Sequence, residues 1–201
     1  MKHFLFLCSV AFLYYGTSAQ LTKKNWLVGG SGSLYSYNEN NSTASFNQMA
    51  KYTSIDMAAS VGYFFIDKVA AGLRPNFSSY KGKVVSASTG SGGSTNSYRL
   101  TIGPFARYYF LNANNPFNIL ADITYQLGYL QQLGALHERG KNNTFSFMLG
   151  PEFFFNSTAG IEILLGYNQK TLSIENSPGA FSNIKNGVQV SIGFTLHLEK
   201  E

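Results

Sequence analysis

The chain has 201 residues, enough for one domain with a targeting segment, and its 15 Lys and Arg exceed its 10 Asp and Glu to give a net charge of +5. Charged residues are scarce at 12%, aromatics reach 15%, and there are 20 glycines but only 5 prolines; that balance suits a β-rich membrane protein better than a soluble globule. No stretch beyond the N-terminus approaches the roughly 20 apolar residues of a spanning helix, which excludes a helical membrane protein, and the lysines are scattered over expected loops and tails, so no nucleic-acid-binding patch is read.

Residues 1–19 read as a secretion signal. Lys2 gives the charge, Phe4 to Tyr15 the apolar core, and Thr17-Ser18-Ala19 the small residues before a cut at Gln20. The alternative, an anchor helix, would need a longer run. Cys8, the one cysteine, falls inside the signal and away from the cut, so it is not placed to anchor a lipoprotein. The mature domain, 20–201, is then expected to carry no disulfide, thiol nucleophile or cysteine-based metal site.

A polar lead, Leu21-Thr22-Lys23-Lys24-Asn25, precedes the first alternating stretch. There Trp26, Val28, Gly30, Gly32 and Leu34 share one parity, and Asn38 to Gln48 reads as a loop. The second strand sets Ile55, Met57, Ala59, Val61 and Tyr63 against Ser54, Asp56, Ala58, Ser60 and Gly62, and turns tightly at Ile66-Asp67-Lys68. The third sets Val69, Ala71, Leu73, Pro75 and Phe77 against Ala70, Gly72, Arg74, Asn76 and Ser78. Lys81 to Asn96 reads as a long Gly/Ser/Thr loop; lacking a Gly-Lys-Ser/Thr ending and a following helix, it is no phosphate-binding loop.

The fourth strand runs from Tyr98 through Leu100, Ile102, Pro104, Ala106 and Tyr108, against Arg99, Thr101, Gly103, Phe105, Arg107 and Tyr109. Across a short turn at 112–116, the fifth sets Phe117, Ile119, Ala121, Ile123, Tyr125, Leu127 and Tyr129 against Asp122, Thr124, Gln126 and Gly128. Leu130 to Asn143 is a further expected loop. The sixth strand has Phe145, Phe147, Leu149, Pro151 and Phe153 against Ser146, Met148, Gly150, Glu152 and Phe154. After the turn Asn156-Ser157-Thr158, the seventh has Ile161, Ile163, Leu165 and Tyr167 against Glu162, Leu164 and Gly166. Gln169 to Lys185 is the last expected loop, and Val188 to Leu198 the eighth strand, with His197 on its polar parity.

Three regularities predict an eight-stranded antiparallel up-and-down transmembrane β-barrel. Long connections follow odd-numbered strands and short ones follow even-numbered strands, as in barrels with short periplasmic turns. The strand charges Asp56, Arg74, Arg99, Arg107, Asp122, Glu152 and Glu162 all take the polar parity; one Arg or Lys on the lipid face at mid-depth costs about 2–4 kcal/mol. Aromatics end the apolar parity: Tyr98, Tyr129, Phe145 and Tyr167 form an expected upper belt, and Trp26, Tyr63, Tyr108, Phe117 and Phe153 a lower one. Each crossing should take about 9–11 residues. A soluble lipocalin-like barrel would put its bulky apolar side inward, whereas here the bulkier parity is the uncharged one.

Ile102-Gly103-Pro104 and Leu149-Gly150-Pro151 begin similar hairpins, echoed by Ser60-Val61-Gly62-Tyr63, which points to reuse of one hairpin. Proline cannot donate to a ladder, so local bulges without a net shift are expected near Pro104 and Pro151. Trp26-Leu27-Val28-Gly29-Gly30-Ser31, Val61-Gly62-Tyr63-Phe64, Ile102-Gly103-Pro104 with Arg107-Tyr108-Tyr109-Phe110, and Gly150-Pro151-Glu152 with Phe153-Phe154 carry a resemblance. Over essentially the whole mature chain they resemble the bacterial outer-membrane protein β-barrel domain family, similar to the small OmpA-, OmpX- and OmpW-type barrels. The resemblance implies a bacterial outer-membrane location and specifies fold far more than activity. The ending Leu198-Glu199-Lys200-Glu201 departs from the usual terminal aromatic read by the insertion machinery.

Inside the barrel, Asp56 is expected to meet Arg74 and Arg107 to meet Asp122, each across a short turn. Glu152 and Glu162 should lie opposite each other, with Arg107 reaching toward them; two close carboxylates share a proton or need a cation. These charges read as a polar plug, the alternative being a gate or ion path. A lipid-active enzyme needs a hydroxyl, an imidazole and an acid at the outer rim. His137 with Glu138 reads instead as a solvated loop pair, His197 lies near the opposite end, and no paired-His metal spacing occurs. The expected role is a structural or interaction barrel, non-enzymatic and without cofactor or metal. A narrow porin-like conduit for small solutes is the alternative, and a lipid-modifying enzyme the remaining reading. The expected partners are outer-membrane lipid, the barrel-insertion machinery and an unidentified contact of the external loops; the barrel is expected to be a monomer.

Overall fold

In the computed structural model, residues 21–43, 46–87, 94–133, 138–174 and 181–199 are described. The expected signal, 1–19, with Cys8 and His137, lies outside them. The chain forms eight strands: β1 (Trp26–Thr43), β2 (Phe46–Ile66), β3 (Val69–Ala87), β4 (Ser94–Tyr109), β5 (Phe117–Leu133), β6 (Glu138–Phe154), β7 (Ala159–Ile174) and β8 (Phe181–Leu198). Each strand pairs antiparallel with its sequence neighbours, and β1 with β8 closes the barrel. Closure gives the backbone groups of a lipid-embedded sheet their partners.

The strands are longer than the expected crossing. They run from 16 residues in β4 to 21 in β2. Much of each expected loop, 38–48, 81–96, 130–143 and 169–185, is ladder instead. The long and short alternation of connections is therefore corrected: the asymmetry lies in strand extension beyond the apolar band. The outward face simply turns polar there, through Lys51, Lys81, Lys83, Asn143 and Lys141, while the backbone keeps pairing.

The β1–β8 ladder is the short one. It joins Trp26–Gly32 to Ile192–Leu198, whereas β1 pairs with β2 along its whole length. Register shifts fall at Met49/Ala50 and Phe64/Ile66, not at the prolines. Pro104 faces Leu73 and Pro151 faces Ile119 in unbroken register. Across their other edges, the ladder skips the Gly-Pro steps and resumes without slipping, so no bulge forms there. The missing proline N–H is absorbed by a local gap in pairing. The adjoining glycines let the strands close in: a Cβ on Gly103 would strike the Tyr125 carbonyl, and one on Gly150 the Ile163 carbonyl.

The lead, Leu21 to Asn25, is not a free polar tail. It hooks under the barrel, with Lys68 N–H donating to the Leu21 carbonyl at 2.8 Å and Lys24 N–H to the Phe64 carbonyl at 2.9 Å. Leu21 is thereby buried against the lower interior, where Leu27, Phe64, Ala70, Phe105, Tyr109, Leu120 and Phe154 form the apolar core. The expectation of a small, polar inner face is thus corrected at the base. Four of these inward residues are large aromatics, and they fill the lumen.

Candidate functional site: a polar lumen over a packed base

Above the base, Arg107 on β4 and Asp122 on β5 are register partners, and Arg107 Nε donates to Asp122 at 2.9 Å. The other side of the same guanidinium donates to Glu162 on β7, at 2.6 Å and 3.3 Å. Arg74 on β3 grips Asp122 with two bonds, 2.6 Å and 2.8 Å, and also donates to Ser60 and Thr124. Its guanidinium lies over the Phe105 ring, 4.5 Å from the centroid. Two arginines and two carboxylates thus interlock with no net charge. Buried ions require such pairing because desolvation otherwise costs several kcal/mol per ion.

Asp56 does not meet Arg74. The β2–β3 register places Asp56 opposite Ser78. Asp56 instead accepts from Ser54 at 3.3 Å and from the Ser78 hydroxyl, with Lys170 Nζ 3.9 Å away. The short turn fixed register as expected, but Arg74 is long enough to cross β4 diagonally to the stronger site beside Arg107. Arg99 lines the same lumen as Asp56 and Lys170 and is the register partner of Ser78. Five of the seven strand charges are linked: Arg74, Asp122, Arg107 and Glu162 by ion pairs, and Glu152 through the Tyr109 hydroxyl, which lies 3.4 Å from Arg107 Nη1.

Glu152 and Glu162 are register partners, and each carboxylate has its own set of hydrogen-bond partners. Arg107 takes Glu162, and the Thr195 hydroxyl adds a bond at 3.2 Å. Glu152 accepts from Tyr109 Oη at 3.0 Å and faces His197 Nε2 at 2.8 Å. Glycines make this possible. A Cβ on Gly160 would strike the Glu152 carboxylate, and one on Gly193 would crowd that of Glu162. His197 is fully buried among Phe64, Tyr109 and Phe154, with ring centroids 5.6–5.9 Å away.

His197 is the residue that the sequence left outside the charge set. Its polar parity was the available signal, but its partner Glu152 lies two strands away across the glycine at position 160. Among the described residues no cluster of three His, Cys, Asp or Glu side chains is placed to hold a metal.

The lumen above the Arg107 cluster is a cup of about 80 Å³ lined by Asp56, Arg74, Arg99, Glu162 and Lys170 among others. That volume holds a few waters. Below, Phe64, Tyr109, Leu120, Phe154 and His197 are buried and fill the section.

On the outside, the apolar parity is exposed throughout: Met57, Leu73, Leu100, Leu127, Leu165, Val190 and Phe194 face away from the barrel. Near the base Trp26 meets Tyr63 edge-on at 5.3 Å, Tyr108 meets Phe110 at 4.9 Å, and Phe117 tilts against Phe153 at 6.3 Å. Higher up, Tyr98 stacks on Phe77 at 6.3 Å, while Tyr129 and Tyr167 are exposed. Phe145 is half-buried opposite Tyr125 and Gln169. Water would reject so large an apolar exterior, since continuous exposed patches on soluble monomers rarely exceed a few hundred Å². Closed ladder, apolar exterior and buried interior ions define the class: an integral membrane β-barrel of the outer-membrane type.

Three solved structures align with the chain. Neisserial surface protein A aligns at a TM-score of 0.46 with 16% identity, over 85% of this chain and 96% of that one. The translocator domain of the autotransporter NalP from Neisseria meningitidis aligns at 0.41 with 14% identity, over 98% and 93%. The outer membrane protein AlkL, solved in lipid bilayers, aligns at 0.36 with 13% identity, over 92% and 92%. At these scores the likeness says nothing of ligand or role. No protein-family model matches the sequence, and no curated protein matches it significantly.

Proposed function

We propose that the protein is a non-enzymatic structural or interaction barrel of the bacterial outer membrane, monomeric, closed at its periplasmic end and cupped toward the outside. The packed base carries this reading. Phe64, Tyr109, Leu120 and Phe154 are buried across the lumen, His197 and Glu152 are bonded among them, and Leu21 underlies them. A water-filled conduit would need polar, hydrated walls at that level. The extended strand ends project beyond the apolar band and would supply contacts with the surroundings.

Planar-bilayer recording tests it. Wild-type protein should insert without a defined single-channel step, whereas the double truncation F64A/F154A should introduce one by emptying the base. A reproducible wild-type step would overturn the closed reading.

One observation favours a second reading, a sideways solute route. The β1–β8 ladder ends at Gly32–Ile192. Gly30 and Ser31 there border both the polar cup and an apolar notch on the outer surface with Ile192 and Phe194. Such a route would lead from cup to membrane and leave bilayer conductance silent. Vesicles containing the protein should then take up a small apolar dye faster than protein-free vesicles; equal rates would discard it.

A further inference from the structure

The charges inside the barrel are matched by acids. On the outer face of β2 and β3 they are not. Lys51, Lys81 and Lys83 are all exposed. Lys51 and Lys83 are direct cross-strand partners, and Lys81 faces Thr53 one step lower. The flanking positions in register are Asn38 on β1 and Asn96 and Ser94 on β4. No acidic residue therefore borders the three cations in register. Like charges directly opposite each other weaken a strand pair, so the arrangement calls for an anion from outside the chain.

The height of the cluster identifies the source. All three lysines continue the parity of Met57, Leu73 and Phe77, which is the lipid-facing one. The Phe77–Tyr98 stack ends the apolar face here. Lys81 lies about 13 Å of strand beyond Phe77, or roughly 10 Å of height after strand tilt. That is headgroup depth for a barrel whose apolar band is about 25 Å tall. Long lysine stems can follow the surface and bring their ammonium groups together. Lys170, on the lumen side, is by contrast 3.9 Å from Asp56.

We propose that Lys51, Lys81 and Lys83 form a docking site for the phosphorylated headgroup of an outer-leaflet lipid. Lys51 and Lys83 hold one phosphate between them, and Lys81 approaches it from below. Asn96 and Ser94 on the β4 flank supply neutral donors. The proposal rests on the membrane placement of the barrel and goes beyond its closed-lumen role.

Native mass spectrometry of the full-length mature protein, released from nanodiscs containing bisphosphorylated lipid A, tests it. Wild type should retain the lipid, and K51Q/K81Q/K83Q should retain at least tenfold less. K23Q, at the opposite rim, should match wild type. Dephosphorylated lipid A should bind wild type as weakly as the triple variant binds the phosphorylated form. Equal retention by wild type and triple variant would overturn the site, as would equal binding of the dephosphorylated lipid. Free inorganic pyrophosphate competing at concentrations equal to the lipid would point to a soluble anion and overturn the lipid assignment.

Should the triple variant not fold, K83E provides the second route. It sets an acid opposite Lys51, favours the strand pair, and should still lower retention tenfold. Folding is followed by the heat-modifiable gel shift in every case. Wild type that inserts and shifts but retains no lipid defeats only this site. Wild type that neither inserts nor shifts defeats the membrane reading itself.

Discussion

Replacing Arg107 with leucine should destabilise the folded barrel by about 3–5 kcal/mol, the usual cost of leaving buried charges without their partner. Among the described residues, Arg107 is the one side chain that bonds both Asp122 and Glu162. Its loss leaves Glu162 buried with only the Thr195 hydroxyl, while Asp122 keeps Arg74. Most of the penalty should therefore come from Glu162, and adding E162L to R107L should recover a large share of it. A double-mutant cycle in urea, read on protein refolded into lipid vesicles, measures both effects. If R107L alone costs under about 1 kcal/mol, the guanidinium is not holding the interior together as its geometry indicates. D122N should be costly too, since Arg74 and Arg107 would then face each other without the carboxylate between them.

Much of this architecture is legible in the sequence because the lipid imposes a simple rule on each strand. A charge at mid-depth is tolerated on one parity only, so Asp56, Arg74, Arg107, Asp122, Glu152 and Glu162 reveal the facing of their strands from the sequence. The pairing of Arg107 with Asp122 was legible for a related reason: a short turn sets register, and the two stand directly opposite. Arg74 shows where that logic stops. Register gives the nearest backbone, but a guanidinium on a long stem reaches over Phe105 to a residue two strands away.

The base was hidden for a different reason. Phe64, Phe105, Tyr109 and Phe154 occupy the parity of the charges, and alternation alone cannot say whether an aromatic on that side meets water or another ring. Only closure brings them together and folds Leu21 beneath them. Strand length is not legible from alternation, because outward polarity, as at Lys81, does not end the strand. Polarity there marks only where lipid ends. The backbone ladder continues, since two paired strands lose nothing by staying paired in water.

The facing itself can be tested at Leu149. This residue lies on the outer face of β6, opposite Ala121 on β5 and Leu165 on β7, well inside the apolar band. L149R should cost about 2–4 kcal/mol in lipid vesicles, the penalty of a mid-depth arginine on a barrel exterior. The same change at Asn143 should cost about 0–1 kcal/mol, because that position, six residues along the same face, is already exposed beside Lys141 at the polar end. The contrast between the two sites separates a membrane from a merely hydrophobic surface. In water both arginines would be solvated and L149R would be neutral or favourable, relieving an exposed apolar patch. A vesicle-refolding titration showing equal stability for L149R and N143R would therefore remove the bilayer from around β6. A graded penalty along 143, 145, 147 and 149 would instead trace the depth of the hydrocarbon, residue by residue, down the outer wall of the barrel.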